Sequence, residues 1–192
     1  MNTERHPWDF FLPENTCLLL LGSFPPARER WSMDFYYPNI QNDMWRILGL
    51  LFYADKDHFL ETPRRFDPAK AKAFCREKGL GLGDTAAEVV RLKNNASDKY
   101  LDVVRPADIA GVLRRAGCCQ ALAVTGQKAM DTLLAALPCT VQEPPVGGRS
   151  PFEVDGRRLY LYRMPSTSRA YPRPLAEKAE VYRAMFRQLG ML

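Results

Sequence analysis

Two stretches of the chain combine aromatic, basic and amide side chains in a way that suits neither a buried core nor a plain solvated loop. The first, GSFPPARERWSMDFYYPNIQNDMW, covers residues 22–45 and contains the adjacent rings of Tyr36 and Tyr37. Two adjacent rings cannot easily both point inward, so we expect one of them to face the surface, where a planar ligand could stack on it. A nucleobase stacked on an aromatic side chain gains roughly 1–3 kcal/mol. This stretch is therefore a candidate contact for a planar ligand such as a base, although most aromatic residues of loops anchor a core.

Asn42, near the end of the same stretch, has two possible roles. It precedes a helical pattern that places Met44, Trp45 and Leu48 on one face, and its side chain could cap that helix. The same amide could instead donate and accept hydrogen bonds at a ligand or a water molecule. The pattern alone leaves both roles open.

The second stretch, MPSTSRAY, covers residues 164–171 and supplies three hydroxyls and one arginine. Hydroxyls, backbone N–H groups and arginine are the usual donors to nucleic-acid phosphates. A polar connector before a helix has the same composition, so this alternative also stands. Neither stretch contains a glycine-rich phosphate loop of the dinucleotide or P-loop type, and none occurs elsewhere in the chain, which argues against a nucleotide cofactor.

The elements that must position these stretches follow from hydrophobic periodicity. The apolar run Cys17–Leu21 stops at Gly22 and predicts a buried strand that ends in a sharp turn, with Pro25 and Pro26 holding an extended path after it. Further strands are predicted for GLGLGDT ending at Asp84, for ALAVTG and for RLYLYRMPS, with helices between them and a hairpin bend at Val154–Arg157. This alternation predicts an α/β fold, a three-layer α/β/α sandwich with a central, mainly parallel four-stranded sheet. Ligands of such sheets bind at the carboxyl ends of the strands, where both stretches, Asp84 and Thr125 are expected.

Composition narrows the class of protein further. The chain has 192 residues and 46% apolar content, which predicts one domain over residues 1–192. No apolar run could cross a membrane and the N-terminus lacks a signal-peptide layout, so we expect a cytoplasmic protein. Five cysteines without a Cys-x-x-Cys pair and two isolated histidines predict neither disulfides nor a metal site. The net charge of +5 suits ordinary solubility, but arginines cluster in or beside the two stretches and favour a polyanionic partner.

The order of GSFPP, YYPNIQNDMW and MPSTSRAY resembles the uracil-DNA glycosylase superfamily, and most closely the branch of hypoxanthine-DNA glycosylases and mismatch-specific uracil glycosylases. That branch has a Gly-Ser-x-Pro turn after the first strand, an aromatic residue five positions before an Asn, and a Leu-Pro-Ser-Thr-Ser element after the last strand. GLGDT and TGQKA also resemble it. The resemblance implies a monofunctional DNA glycosylase of base excision repair, which flips a deaminated base such as uracil or hypoxanthine out of DNA. It implies no cofactor, and we expect a monomer.

Carried over by position, the resemblance implies a base pocket and a DNA-binding loop. Tyr37 would stack on the flipped base and Asn42 would be the catalytic amide. The remaining pocket residues would be Gly22, Ser23, Phe24 and Thr125. The loop would grip phosphates through Ser166, Thr167 and Ser168, and either Arg169 or Tyr171 would enter the gap left by the base. Asp84 could position the attacking water, although a capping or structural role suits it equally well.

The sequence also departs from that family at named positions. Phe24 lies where many relatives carry an acid or amide that positions water, and Met164 replaces a histidine of the best-known uracil-specific relatives. Met44 stands for a Phe, and Thr125 for the Asn of hypoxanthine-type relatives. Two alternatives follow from these departures. One is a non-catalytic DNA-binding relative of the glycosylases, and the other is a hydrolase of free modified nucleosides.

Overall fold

A computed structural model describes residues 2–92 and 100–192 of the chain. The strands of this part are β1 (Thr3–Arg5), β2 (Leu18–Gly22), β3 (Leu60–Thr62), β4 (Arg65–Phe66), β5 (Leu80–Asp84), β6 (Ala86–Arg91), β7 (Leu101–Pro106), β8 (Ala121–Thr125), β9 (Arg149–Val154) and β10 (Arg157–Met164). The helices are α1 (Met44–Tyr53), α2 (Pro68–Lys78), α3 (Ile109–Arg115), α4 (Gln127–Ala136) and α5 (Leu175–Gln188), and a short 3-10 helix spans Arg28–Arg30. The predicted mixed α/β class is confirmed.

The central sheet has the strand order β5-β2-β8-β10-β9, in which the first four strands are parallel and β9 runs antiparallel to β10. The predicted number of four strands is therefore wrong, because β9 adds a fifth. β9 was hidden among turn-forming residues, and it accommodates Pro151 because it lies at the edge of the sheet. The predicted bend is present: Asp155 and Gly156, with φ of 51° and 71°, form the two-residue loop between β9 and β10.

Helices cover both faces of this sheet. Leu18 and Leu20 of β2 pack in the core that contains α1, α2 and α5, whereas Leu19 and Leu21 pack in the core that contains α3 and α4. A strand buried on both faces needs apolar side chains at consecutive positions, which explains the uninterrupted leucines of β2. The α2 helix begins and ends where its cap residues predict, since the Asp67 side chain accepts bonds from Ala69 N–H and Lys70 N–H, and Gly79 ends the helix with a φ of 66°.

Two smaller sheets were not predicted from the sequence. β1, β6 and β7 form an antiparallel sheet that begins directly after β5, and β3 pairs with β4 as a hairpin. His6 directly follows β1, and the pairing of β1 with β6 places it near the carboxyl end of β5. The His6 backbone N–H donates a hydrogen bond to the Ala87 carbonyl (2.9 Å). None of the helices in residues 2–92 and 100–192 has the length and apolar content needed to span a bilayer.

Candidate active site

A cavity of about 320 Å³ lies at the carboxyl ends of the four parallel strands. That size is at the lower end of the range for small-molecule sites. Its walls come from the segments that follow β2, β5, β8 and β10, so the two stretches singled out in the sequence meet there. Of the predicted site residues, the cavity is lined by Gly22, Ser23, Phe24, Tyr37, Asn42, Asp84, Thr125, Ser166, Thr167, Ser168 and Arg169. Tyr171 is half-buried and does not line the cavity.

The geometry of the Asn42 side chain leaves room for both of the roles that the sequence left open. Its Oδ1 accepts a hydrogen bond from the Met44 backbone N–H (2.9 Å), and Asp43, rather than Asn42, precedes the first helical residue. Because a backbone N–H can only donate, the bonded atom must be the amide oxygen, and the NH₂ group remains as the free donor. No acceptor for this NH₂ group occurs among the described residues. Asn42 therefore lines the cavity as a half-buried amide with a fixed oxygen and two available donors.

The adjacent rings of Tyr36 and Tyr37 point in different directions. Tyr36 is buried and donates its hydroxyl to the Asp9 carbonyl (3.0 Å). Tyr37 has a left-handed backbone with a φ of 53°, a conformation that costs a non-glycine residue about 1–3 kcal/mol and turns this ring toward the cavity wall. The Tyr37 hydroxyl is buried, and no well-oriented hydrogen-bond partner for it occurs among the described residues. Burial, together with the negative charge of Asp84, raises the pKa of Tyr37 well above its ordinary value, so this side chain is neutral.

Asp84 reaches the cavity because of the strand register. β2 and β5 pair in parallel with Gly22 opposite Asp84, so the carboxyl group lies beside the turn that Gly22 begins. A Cβ atom on Gly22 would overlap the Asp84 Oδ1 atom. β2 ends at Gly22 as predicted, but Gly22 is not among the residues of positive φ, so its backbone conformation alone does not require glycine. The glycine leaves space for a carboxylate on the neighbouring strand.

His6 is a site residue that the sequence analysis missed. Its Nε2 lies 2.8 Å from the Asp84 Oδ2, and both side chains are about nine-tenths buried. Its Nδ1 lies 2.7 Å from the Trp8 carbonyl oxygen. The pair joins positions 78 residues apart, so no local pattern could have indicated it. The ring edge of His6 also packs against Phe24, which lines the cavity and contacts the small core around Val89 and Leu101.

The loop at 166–171 is attached to the start of α1 by a buried ion pair. Lys178 is 1% exposed, and its Nζ binds the Asp43 Oδ2 (3.1 Å) and the Ser168 carbonyl (2.8 Å). The Arg169 Nε binds the other oxygen of the same carboxylate (3.1 Å). The Asp43 side chain, at the start of α1, thus connects α1 and α5 to the loop. Thr167 is buried, and its carbonyl accepts a bond from the Asp43 N–H (2.7 Å).

Thr125 contributes a hydroxyl at the base of the cavity. Its Oγ1 donates to the Leu21 carbonyl (3.3 Å), so the hydroxyl oxygen faces other groups as an acceptor. Met164, by contrast, is 1% exposed and packs in the core, away from the cavity. The position at which the resemblance implied a departure from histidine therefore supplies no cavity-lining side chain.

A groove adjoins the cavity and shares Arg30, Gln41 and Arg169 with it. It has a volume of about 720 Å³ and its lining includes two acidic residues, Glu29 and Asp34, and six arginines: Arg28, Arg30, Arg46, Arg64, Arg65 and Arg169. We call it the arginine groove. Four of the six were expected near the site from the sequence, whereas the unpredicted β3–β4 hairpin supplies Arg64 and Arg65. In residues 2–92 and 100–192, no group of three or more His, Cys, Asp or Glu side chains is placed to hold a metal ion.

The contact between Gly22 and Asp84 makes Gly22→Ala a direct test of this geometry. The added methyl group must displace a carboxylate that His6 holds in place, so we expect a loss of about 1–3 kcal/mol in the free energy of unfolding. Thermal or urea unfolding measures this loss. Gly117→Ala is the matched control, since a Cβ atom at Gly117 would meet open space. Equal stability of the two variants would contradict the close approach of Asp84 to β2.

The chain matches no protein-family model and no curated protein. Among solved structures, it is similar to the solution NMR structure of a protein from Methanosarcina acetivorans described as a "putative Uracil DNA glycosylase". The TM-score is 0.66 with 21% sequence identity, and the alignment covers 98% of this chain and 99% of the other. This likeness extends over the whole architecture, and at that identity it is evidence for the fold.

Proposed function

We propose that this protein is a DNA glycosylase that removes a deaminated base, uracil or hypoxanthine, from DNA, and that it acts as a single-domain monomer in DNA repair. One observation carries the proposal: a carboxylate, an amide with free donors and a tyrosine ring line one cavity beside a groove rich in arginine. The fold likeness and the order of the three motifs along the chain support it.

In the proposed reaction, the bond between C1′ of the sugar and the base nitrogen breaks, and its electron pair leaves with the base. A water molecule gives its hydroxide to C1′ and a proton to Asp84. The departing base anion takes up one proton from the solvent and Asp84 returns its proton to the solvent, so that the products are an abasic site and a free base. Asp84 is the general base, because among residues 2–92 and 100–192 it is the carboxylate that lines the cavity. It takes the place of the acid or amide that the relatives carry at the position of Phe24.

Asn42 acts on the other side of the reaction, at the leaving base. Negative charge develops on the base as the bond breaks, and fixed hydrogen-bond donors stabilise such charge without reorganising. The Asn42 amide meets this requirement because its oxygen is held by the Met44 N–H and its NH₂ group is free. Tyr37 provides a neutral ring on which the flipped base stacks.

The arginine groove favours DNA over a free nucleoside as the substrate. A nucleoside needs only the cavity, whereas a DNA strand must continue beyond the flipped nucleotide and bring its phosphates with it. Arg28, Arg30 and Arg64 are exposed, and their guanidinium groups form no ion pair with any of the residues that the structure describes. Such groups neutralise phosphates and release counterions.

The slope of log K against log salt for DNA binding is negative. Each of Arg28→Ala, Arg30→Ala and Arg64→Ala should therefore reduce its magnitude by about 1. Fluorescence anisotropy with a labelled duplex, titrated at several salt concentrations, measures the slope. Arg115→Ala is the matched control, since it removes an exposed arginine at the end of α3, away from the strand ends that form the cavity. A slope that changes as much for Arg115→Ala as for the groove variants would contradict a specific phosphate path.

The proposed function is tested with duplexes that each carry one uracil, hypoxanthine or xanthine. Alkali cleaves abasic sites, so base release appears as strand scission above that of an enzyme-free sample. Release from one of these duplexes is the expected result. Salt-dependent binding without release would instead indicate the non-catalytic DNA-binding alternative, and release only from a free nucleoside would indicate the nucleoside hydrolase.

A further inference from the structure

Asp84 separates two cavities. One is the cavity that we propose to hold the base, and the second, of about 250 Å³, lies behind Asp84 and is lined by His6, Trp8 and the exposed Arg5. We call the second one the rear cavity. His6 belongs to the rear cavity and does not line the first one. The Asp84 carboxyl group is thus accessible from the proposed base cavity on one side and contacts His6 on the other.

The His6 ring is held in a single orientation. Its Nε2 is bonded to the Asp84 Oδ2 and its Nδ1 to the Trp8 carbonyl, so both nitrogens have partners. The rings of Trp8, Phe24 and Tyr36 lie around it, with centroids 5.3–5.8 Å away. The backbone N–H of His6 is tied to Ala87 in addition. A ring restrained in this way also restrains the carboxyl group that it binds.

The two oxygens of Asp84 consequently have different surroundings. Oδ2 is occupied by His6, whereas Oδ1 lies against Gly22, a residue of the cavity wall, and no hydrogen-bond donor for it occurs among the described residues. We propose that His6 is a positioning residue, which binds Oδ2 so that Oδ1 faces the attacking water. This inference rests on the proposed function. It assigns a role to a histidine that lies outside all of the recognised motifs.

The physical reason is orientational. A free carboxyl group rotates about its last side-chain bond, and only a fraction of its orientations directs a lone pair at the water. A misplaced catalytic group can lower a rate by about 10²-fold. We therefore expect that loss of the His6–Asp84 bond lowers the rate of base release on the order of 10- to 100-fold and leaves the affinity for DNA unchanged.

Two substitutions of similar size separate the two bonds of the ring. The Asn amide of His6→Asn can reach the Trp8 carbonyl but not Asp84, whereas the longer amide of His6→Gln can place an N–H near the position of Nε2. We expect His6→Asn to be slow and His6→Gln to retain most of the wild-type rate. The rate is measured in single turnover with enzyme in excess, and the DNA affinity is measured separately. If both variants retain the wild-type rate, or if both lose it equally, the positioning role is overturned.

Chemical rescue gives a second readout that a purely structural role would not move. The variant His6→Ala enlarges the rear cavity, and imidazole added to the solution can enter from that side while DNA covers the base. Recovery of the single-turnover rate with increasing imidazole is the expected result. A folded variant that does not recover would contradict the positioning role.

In an Asp84→Asn background, His6→Asn should cause no further loss of rate. A further loss there would show that His6 acts on something other than Asp84.

The failure of this inference is distinguishable from the failure of the proposed function. A wild-type protein that releases no base overturns both. A wild-type protein that releases base, with His6→Asn equal to it in rate, overturns the positioning role alone.

Discussion

The variant Asp84→Asn is expected to release base on the order of 10²–10⁴ times more slowly than the wild type. Asparagine has the same shape and can accept the bond from His6 through its amide oxygen, but it cannot take a proton from water. Asp84 is the proposed general base because its carboxyl group is buried, lines the cavity and is bonded to His6. Single-turnover strand scission after alkali treatment measures the loss.

The matched control for this variant is Asp67→Asn. Asp67 caps α2 and does not line the cavity. Asparagine caps a helix about as well as aspartate does. Its rate and stability should equal those of the wild type. If Asp84→Asn is folded and retains the wild-type rate, Asp84 is not the general base.

A second large effect is expected at Asn42, where Asn42→Ala should lower the rate of base release on the order of 10²- to 10³-fold. Alanine removes both the NH₂ donors and the oxygen that accepts the Met44 N–H, so stability should also fall, by about 0.5–2 kcal/mol. Rate and unfolding free energy must therefore be measured on the same variant.

Asn42→Asp separates the two roles of this side chain. An aspartate oxygen still accepts the Met44 N–H and suits the positive end of a helix, so the stability of the wild type should be kept. The donors are lost, and the added negative charge opposes the charge on the leaving base, so the rate should be as low as that of Asn42→Ala or lower. A stable Asn42→Asp variant with wild-type turnover would show that Asn42 has no catalytic role and serves only to accept the Met44 N–H at the start of α1.

Under the proposed mechanism, the departures from the glycosylase-like motifs that the sequence resembles have a physical interpretation. Phe24 cannot activate water, but it packs against His6 and helps to enclose the His6–Asp84 pair. The carboxylate is supplied from β5, the strand next to β2, at the residue opposite Gly22. An acid moved by one strand can serve the same cavity because parallel strands end at a common edge.

Much of the architecture was predictable from local patterns. Each parallel strand of the central sheet is a short apolar run with a clear end, and the α2 helix is marked by Asp67, Pro68 and Gly79 at its two ends. The strand β9 was not predictable in this way. It is an edge strand with one exposed face, and its prolines and glycines on either side are typical of turns.

The sequence by itself determined which segments reach the cavity, because the order of strands and helices requires the loops after β2, β5, β8 and β10 to share one edge of the sheet. It also indicated Asn42, Tyr37 and the residues 166–169 as candidates, since their types and spacing lie within single loops. Only the tertiary structure decided how the side chains pair. The contacts His6–Asp84 and Asp43–Lys178 join residues 78 and 135 positions apart. Such contacts depend on strand register and helix packing, which no local pattern of the sequence encodes.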